Sequence, residues 1–331
     1  MKLASPKVAY LVLCWNNKDI IAECLDSIAK QDYDNKDTYV IDNSSSDGSP
    51  DFIAKNYPHV HLVRSTKNNG FDKGNNILID IALQDKDIKY VALINSDISL
   101  EKKWTSEIID YIAKKHKVAS AQGVTLDYYN HKKVDSTHIY LADNLQSIQY
   151  GYGEPFTNNM KFPRKIFGVN AAAAIYTSDF IENQPSKKLF DKKFFMYLED
   201  VDIALRSVVT GWNNYYVPSA KAYHMGSASS KKKASNYAFF MTFRNQSALL
   251  FKNLSFVTIF KYIPRAVNTD THLYKWLKLE YGARTMFKVI WGRVWGILRL
   301  PLFIPGRIQI RKAAKRSDSE IERIIKSRGI F

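Results

Sequence analysis

Four apolar runs of strand length alternate with amphipathic segments over the first hundred residues. Val8 to Trp15 is continuous in apolar side chains, as a strand buried on both faces should be. After Asn16-Asn17, the residues Ile20, Ile21, Cys24, Leu25 and Ile28 recur at helical spacing. Thr38 to Ile41 is a second strand, and Ser49 as cap with Pro50 behind it starts a helix through Phe52 to Tyr57. Val60 to Val63 is a third strand, Ile77, Leu78, Ile81 and Ala82 mark a helix, and Tyr90 to Ile94 is a fourth strand. This alternation predicts an α/β fold with a mainly parallel, doubly wound sheet. Ligands bind at the carboxyl ends of the strands in such sheets. The polar clusters that begin at Asn16, Asp42, Asn68 and Asn95 all fall there.

Further on, Trp104 to Lys115 reads as an amphipathic helix and Val118 to Tyr129 as a strand entering an irregular segment. Ile166 to Tyr176 is unusually rich in small residues, which suits tight packing beside a cleft or a plain buried strand. Phe194-Phe195-Met196-Tyr197-Leu198 then leads into Glu199, Asp200 and Asp202, at the head of a helix that stops at Gly211. Carboxylates in a first turn face the positive end of the helix dipole, and Asp202 with Arg206 has the spacing of an i,i+4 ion pair. Capping alone would explain this cluster; a catalytic use needs support from the rest of the chain. Asn214 to Pro218 is a short strand, and Ala222 to Ser227 closes the unit.

Charge divides the chain. The net charge is +16, yet the first 230 residues hold 27 Lys+Arg against 27 Asp+Glu, and residues 231–331 hold 21 against 5. Two regions are therefore expected, 1–230 and 231–331, with a boundary near Lys231-Lys232-Lys233. The second region has no charge-free run of the ~18–20 apolar residues that cross a bilayer. On a wheel of about 100° per residue, Arg284, Lys288, Arg293 and Arg299 share a polar side with Thr285, Gly292 and Gly296. Met286, Phe287, Ile290, Trp291, Val294, Ile297 and Leu298 take the other side, a pattern suited to an anionic membrane surface. The plainer reading is a helix packed on the catalytic region or on a second subunit of a homo-oligomer. Pro301 and Pro305 end this helix, and Arg311 to Arg316 begins a further basic one. Nucleic acid is not the expected partner, since no helix-turn-helix, zinc or RNA-binding signature is present. Cys14 and Cys24 have neither metal-ligand nor disulfide spacing and read as buried reduced thiols; Met1 to Trp15 reads as a first strand and not as a signal peptide.

A dinucleotide-binding oxidoreductase would need a glycine-rich turn directly after the first strand. Cys14-Trp15-Asn16-Asn17-Lys18-Asp19 contains no glycine, and Gly70 and Gly74 follow the third strand instead.

Five segments in order carry a resemblance. They are Val40 to Ser49, Asn68 to Asn76, Asn95-Ser96-Asp97, Phe194 to Asp202 and His224 to Ser227. Together they resemble family 2 glycosyltransferases, more narrowly the bacterial rhamnosyltransferase-like branch that builds O-antigen, capsule and cell-wall polysaccharides. The resemblance covers roughly residues 6–250. It implies a GT-A fold, an inverting mechanism and a nucleoside-diphosphate sugar donor. It places Asn16, Asp42, Asn69, Gly70 and Asn75 around the nucleotide sugar, with Asp42 on the base or ribose. Asp97 would be the metal-binding acid of a DxD-like triplet, His224 a further metal ligand, Asp200 the general base and Glu199 an acceptor-side group. The triplet departs from the pattern at its first position, which is Asn95. Few carboxylates suit Mg²⁺ and an imidazole suits Mn²⁺, so a divalent cofactor of either kind is expected. The implied reaction transfers a sugar, foremost rhamnose from dTDP-rhamnose, to a lipid-diphosphate-linked glycan at the cytoplasmic side of a bacterial membrane, where the protein is peripheral. UDP-linked galactose, galactofuranose, glucose or N-acetylhexosamine stay open as donors, as does a catalytically idle scaffold of the same fold.

Overall fold

Alternate residues of the first strand enter two different cores, which is why that strand reads as unbroken apolar sequence. In the computed structural model, which describes residues 5–226 and 236–331, Val8, Tyr10 and Val12 pack with Ile21, Leu25 and Ile108 on one face. Ala9 and Leu11 pack with Leu78, Ile79 and Phe180 on the other.

The elements run β1 (Lys7–Cys14), α1 (Ile21–Ala29), β2 (Lys36–Asp42), α2 (Ser49–Asn56), β3 (His61–Arg64), α3 (Gly70–Ala82), β4 (Ile88–Asn95) and β5 (Ile98–Leu100). Next come α4 (Trp104–Ile112), β6 (Val118–Asp127), β7 (Val134–Ser136), β8 (His138–Leu141), β9 (Ser147–Tyr150), β10 (Arg164–Ile166) and β11 (Ala173–Thr177). After α5 (Ser178–Glu182), α6 (Glu199–Val209) and β12 (Asn213–His224), the described chain continues in helices: α7 (Asn236–Asn253), α8 (Phe256–Tyr281), α9 (Ala283–Leu298), α10 (Ile304–Lys312) and α11 (Asp318–Lys326). The main sheet has the order β10-β12-β6-β11-β4-β1-β2-β3. β3, β2, β1 and β4 are parallel, as are β6 and β12, while β11 runs antiparallel between β4 and β6. The mainly parallel α/β sheet expected from the apolar pattern is therefore present, with β11 reversed at its middle and β10 reversed at its edge.

Local differences have physical causes. Gly48, with φ +82°, holds the cap position of α2, so Ser49 and Pro50 sit inside the first turn. The small-residue stretch splits into β10, an irregular link and β11; a side chain at Gly168 would collide with Ala204 of α6. Asn214 to Pro218 belongs to the twelve-residue β12. Residues Arg311 to Arg316 do not start a helix: α10 ends at Lys312, and α11 starts at Asp318 behind a Ser317–Glu320 capping box.

The expected boundary at Lys231-Lys232-Lys233 lies outside the described residues. Beyond it, the C-terminal helices share a core with α6: Val201, Leu205 and Val208 cluster with Leu249, Phe303, Ile310 and Ile321. One correction concerns α9. The side expected to be polar through Thr285, Gly292 and Gly296 is buried and packs on α7. A Cβ at Gly292 would lie 2.6 Å from the Phe240 carbonyl oxygen, and one at Gly296 would strike that of Arg244. The small residues are there because the two backbones meet. Arg293 turns aside to Asp270 of α8 at 2.7 Å, and Arg299 donates to the Lys193 carbonyl at 3.0 Å. Phe287, Trp291, Val294, Trp295, Ile297 and Leu298 are left exposed. Among the described residues, no helix is long and apolar enough to cross a membrane.

Candidate active site

The carboxyl ends of β1 and β2 form one wall. Asn16, at φ +52°, donates its N–H to Ser45 Oγ at 2.9 Å, and its Oδ1 accepts the Ser46 N–H at 2.8 Å. Asp42 is buried; its Oδ2 accepts the Ser45 N–H at 3.1 Å, and its Oδ1 has no partner. A buried carboxylate oxygen left open in this way is a standing acceptor. Asn43 staples the next wall, accepting the Asn69 N–H at 2.8 Å and donating to Asn68 Oδ1 at 3.0 Å. The side chains of Asn69 and Asn75 are spent locally. The Asn69 amide donates to Ser65 Oγ at 2.7 Å, and that of Asn75 to the Phe71 carbonyl at 3.0 Å. Of the residues predicted on this side, Asp42 has an unpartnered buried oxygen, Asn16 and Asn69 shape the loops, and Asn75 bonds back within the first turns of α3.

At the end of β4, Asn95-Ser96-Asp97 is tied to β1 by an Asn17-to-Ser96 hydrogen bond of 2.6 Å. The pairing of β12 with β5 sets His224 beside Asp97. Its Nε2 lies 3.3 Å from Asp97 Oδ2 and its Nδ1 3.1 Å from Asp135 Oδ2. Burial alone would lower the imidazole pKa, but the carboxylates of Asp135 and Asp97 outweigh it and raise the group to about 10. No cluster of three or more His, Cys, Asp or Glu positioned to hold a metal occurs among the described residues. Asp97 and His224 nonetheless fit an ion that takes its other ligands from a diphosphate. They form an acid–imidazole pair whose second ring nitrogen is fixed by a carboxylate, as metal-binding imidazoles generally require. An ion bound at Asp97 would have to displace the Nε2 proton that the two carboxylates favour.

The opposite wall is the turn before α6. Phe195, Tyr197 and Leu198 all have φ between +67° and +69°, a left-handed conformation that costs non-glycine residues energy. Two neighbours hold it. Gly70, at φ +70°, has no Cβ because one would lie 2.7 Å from the Phe195 ring, and next to it the Phe71 N–H donates to the Phe195 carbonyl at 3.0 Å. From α7, the buried Asn245 amide reaches the carbonyls of Met196 and Tyr197 at 2.8 Å each and of Phe194 at 3.1 Å. Arg244 adds a 2.6 Å bond to the Phe194 carbonyl.

The acids that follow divide by environment. Asp202 is buried and meets Arg206 at 2.9 Å, Lys252 at 2.8 Å and Asn253 at 2.8 Å. Burial alone would raise its pKa, yet Lys252 and Arg206 hold it below the usual range. Leu198 occupies the cap position of α6 without a side-chain bond, so the acids do not cap this helix from outside it. Asp200 accepts its neighbour's N–H, from Val201, at 2.8 Å. Burial raises it to about 6, against backbone hydrogen bonds that pull it down. Glu199 is pushed well above the usual range by burial, then by Asp72 and Asp200. Asp72 is fully buried with neither oxygen partnered, and burial followed by the Asp202 and Asp191 charges raises it as well.

Sequence reasoning missed Asn43, Asp72, Asp135 and Asn245. Asn43 and Asp72 lay inside segments already singled out. Arg244-Asn245-Gln246-Ser247 is a polar run between an aromatic first half and an aliphatic stretch of the same helix, and that was the available signal. Nothing in the sequence marked Asp135.

Comparison with known proteins gives this site its setting. Residues 10–182 match the family model of glycosyl transferase family 2. A stretch of 35 residues is 51% identical to an N-acetylglucosaminyl-diphospho-decaprenol L-rhamnosyltransferase of Mycobacterium tuberculosis, and spans 11% of each chain. Among solved structures, the chain is similar to a mannosyltransferase from Pyrobaculum calidifontis in complex with GDP-Man and Mn²⁺. That match has TM-score 0.54 and 14% identity, over 89% of this chain and 87% of that one. It is also similar to S. aureus TarS 1–349, with TM-score 0.54 and 14% identity over 96% and 91% of the two chains. GalNAc-T7 with UDP, GalNAc and Mn²⁺ is similar at TM-score 0.57 and 11% identity, over 74% of this chain and 47% of that one. The three structures share the GT-A arrangement of a mostly parallel sheet. With its family model matched over half its length and its polar groups on the strand ends where that fold binds ligands, the chain belongs to glycosyl transferase family 2.

Proposed function

We propose that this glycosyltransferase inverts the anomeric centre of a pyrimidine-nucleotide sugar, foremost dTDP-rhamnose, as it transfers the sugar to a lipid-diphosphate-linked glycan. The observation that carries the mechanism is the separation of the acids at the start of α6. Burial and mutual repulsion push the carboxyls of Glu199 and Asp72 well above the usual carboxylate range, toward the neutral form, while Asp200, at about 6, is ionised at neutral pH. One base is what inversion needs. The acceptor hydroxyl oxygen forms a bond to the anomeric carbon as the bond from that carbon to the diphosphate breaks. The hydroxyl proton passes to Asp200, and the nucleoside diphosphate leaves. General-base help of this kind contributes roughly 10²–10⁴ in rate. A neutral Glu199 carries an O–H that can orient the acceptor.

On the donor side, the open Oδ1 of Asp42 is an acceptor and suits the N3–H of thymine or uracil. Asp97 and His224 would hold a divalent ion, with Asp135 fixing the imidazole. Bound there, the ion supplies positive charge to the departing diphosphate. The short match to the rhamnosyltransferase supports rhamnose over the UDP-sugars; it spans 11% of that relative's length, so donor and acceptor stand as proposals.

The chain's place at the cytoplasmic face of a membrane belongs to the same reading. It is supported by the exposed aromatic and aliphatic stripe of α9, alongside the exposed Arg284 and Lys288.

Five measurements test these statements. A thermal-shift screen of dTDP- and UDP-sugars with Mg²⁺ and Mn²⁺ is expected to give its largest stabilisation with dTDP-rhamnose; no stabilisation by any nucleotide sugar would leave an idle scaffold. Asp200→Asn is expected to keep that shift and lose at least about 10²-fold in kcat. In the native enzyme kcat should fall tenfold per pH unit below about 6 and level off above it, because the base works ionised; near-normal turnover in the variant refutes the assignment. Asn245→Ala should relax the Phe194–Leu198 turn and lower kcat by on the order of 10²-fold, with KM for the donor little changed; an equal change in both parameters would mean that Asn245 merely supports folding. Sedimentation with anionic and neutral liposomes should show preference for the anionic ones, and equal recovery would remove the membrane from the reading.

A further inference from the structure

A recess lies apart from the strand ends, among α3, the link from α5 to α6 and the start of α10. It encloses about 470 Å³, and its walls include Ile77, Phe190, Pro305 and Ile310. Paired hydrogen bonds pin the link to α3. The Asn76 amide donates to the Phe190 carbonyl at 2.9 Å, and the Phe190 N–H donates back to Asn76 Oδ1 at 3.1 Å. One turn further along α3 and two residues back along the link, Lys188 donates to Asp80 at 2.6 Å, so the two segments run antiparallel. The same step in the other direction, toward the turn before α6, reaches Lys73 and Lys192, and both line the recess. Where one end has an acid and a base, this end has two bases.

No acid is left over to balance them. Of the carboxylates bordering the recess, Asp80 is held by Lys188, and Asp191 is held by Lys252 at 3.0 Å with Lys193 at 3.6 Å. The nearby Asp202 is shared by Lys252 and Arg206. Lys73 and Lys192 are exposed and have no acidic partner among the described residues. Two ammonium groups on the rim of one recess repel each other, and an anion placed between them turns that repulsion into attraction. The apolar walls behind them ask for something other than a bare ion.

We propose that this recess binds a phosphate monoester with an apolar body, its phosphate held by Lys73 and Lys192 and its hydrocarbon enclosed by Ile77, Phe190, Pro305 and Ile310. Such a phosphate carries about −1.5 to −2 charges at neutral pH, which two ammonium groups match by charge-assisted hydrogen bonds. The volume falls within the roughly 300–1,000 Å³ of small-molecule sites. An occupant touches α3, the link and α10 at once. The link is anchored at its far end by Arg206, which donates to Gln184 Oε1 at 2.6 Å and to the Leu189 carbonyl. At its near end it runs straight into the Phe194–Leu198 turn, so filling the recess steadies the chain that leads to Asp200. The site is separate from the donor and acceptor groups of the proposed reaction and does not rest on that reading.

Octyl phosphate, titrated calorimetrically against the full chain in phosphate-free buffer, tests this. The native protein should bind it at least about tenfold more tightly than inorganic phosphate or octanol, because the recess uses both parts. In the double variant Lys73→Glu, Lys192→Glu the affinity should fall at least about tenfold, while the variant melts as the native protein does. The variant Arg284→Glu, Lys288→Glu, altered on the exposed face of α9, should keep native affinity for octyl phosphate. Amide hydrogen exchange in residues 185–198 should slow by at least about threefold when the probe is bound. Equal affinity of the native protein and the Lys73, Lys192 variant would overturn the proposal. So would inorganic phosphate binding as tightly as octyl phosphate, an equal loss in the α9 variant, or unchanged exchange over residues 185–198. Sedimentation with phosphatidic acid vesicles tells two sources of this chemistry apart. It should fall in the Lys73, Lys192 variant for a lipid headgroup and stay unchanged for a free ester, and either result supports the same site.

Discussion

Everything at the start of α6 depends on a turn that would not hold its shape unaided. Phe195, Tyr197 and Leu198 adopt left-handed backbone angles, each at a cost of about 1–3 kcal/mol for a residue with a side chain. The Asn245 amide, Arg244 and the Phe71 N–H return hydrogen bonds worth about 0.5–1.5 kcal/mol each. Costs and gains are of the same size, so the turn exists only while it is clamped from both sides. Gly70 makes the clamp possible, since a side chain there would enter the Phe195 ring. The start of α3 and the turn before α6 are thus one mechanical unit, and Asp200 inherits its position from both.

A buried charge network extends the same constraint. Asp202 could have been an ordinary helix-start acid with an i,i+4 partner, and it does pair with Arg206. It also meets Lys252 and Asn253 of α7, while Lys252 reaches Asp191 at 3.0 Å. Taking ions out of water is costly, and removing one member of such a set strands the others at a penalty of about 3–5 kcal/mol. The network therefore specifies how α7 docks more than it adds stability. It also explains the neighbouring acids. Lys252 and Arg206 are committed to Asp202, so Asp72 and Glu199 have no cation paired to them and burial pushes their carboxyls well above the usual range.

The strand ends were legible because a buried parallel strand announces itself by unbroken apolar sequence, and each such run here stops at a polar cluster. Asp97 and His224, 127 residues apart in the sequence, stand 3.3 Å apart because β5 pairs with β12. What the sequence could not reveal were contacts that depend on the docking of distant pieces. Asn245 acts on carbonyls some fifty residues earlier, and a side-chain amide facing carbonyls leaves no periodic trace. The helical wheel of α9 went wrong for a related reason. Glycine counts as neither apolar nor charged, so Gly292 and Gly296 were grouped with the basic residues, although their lack of side chain is what lets α7 approach.

That approach ties the basic tail to the chemistry. One stretch of α7 carries Arg244, whose backbone carbonyl meets Gly296, and Asn245, whose side chain holds the catalytic turn. The surface of α9 is therefore set relative to Asp200 by helix packing and hydrogen bonds. A flexible linker would leave that relation loose and add a loop-closure entropy each time the two surfaces were brought into register. Here the ordering is done when the chain folds, which is how positioning residues remote from the reacting atoms come to matter for rate. The excess positive charge and the aromatic stripe, which in the sequence looked like a separate appendage, are structurally continuous with the helix that holds the turn before α6.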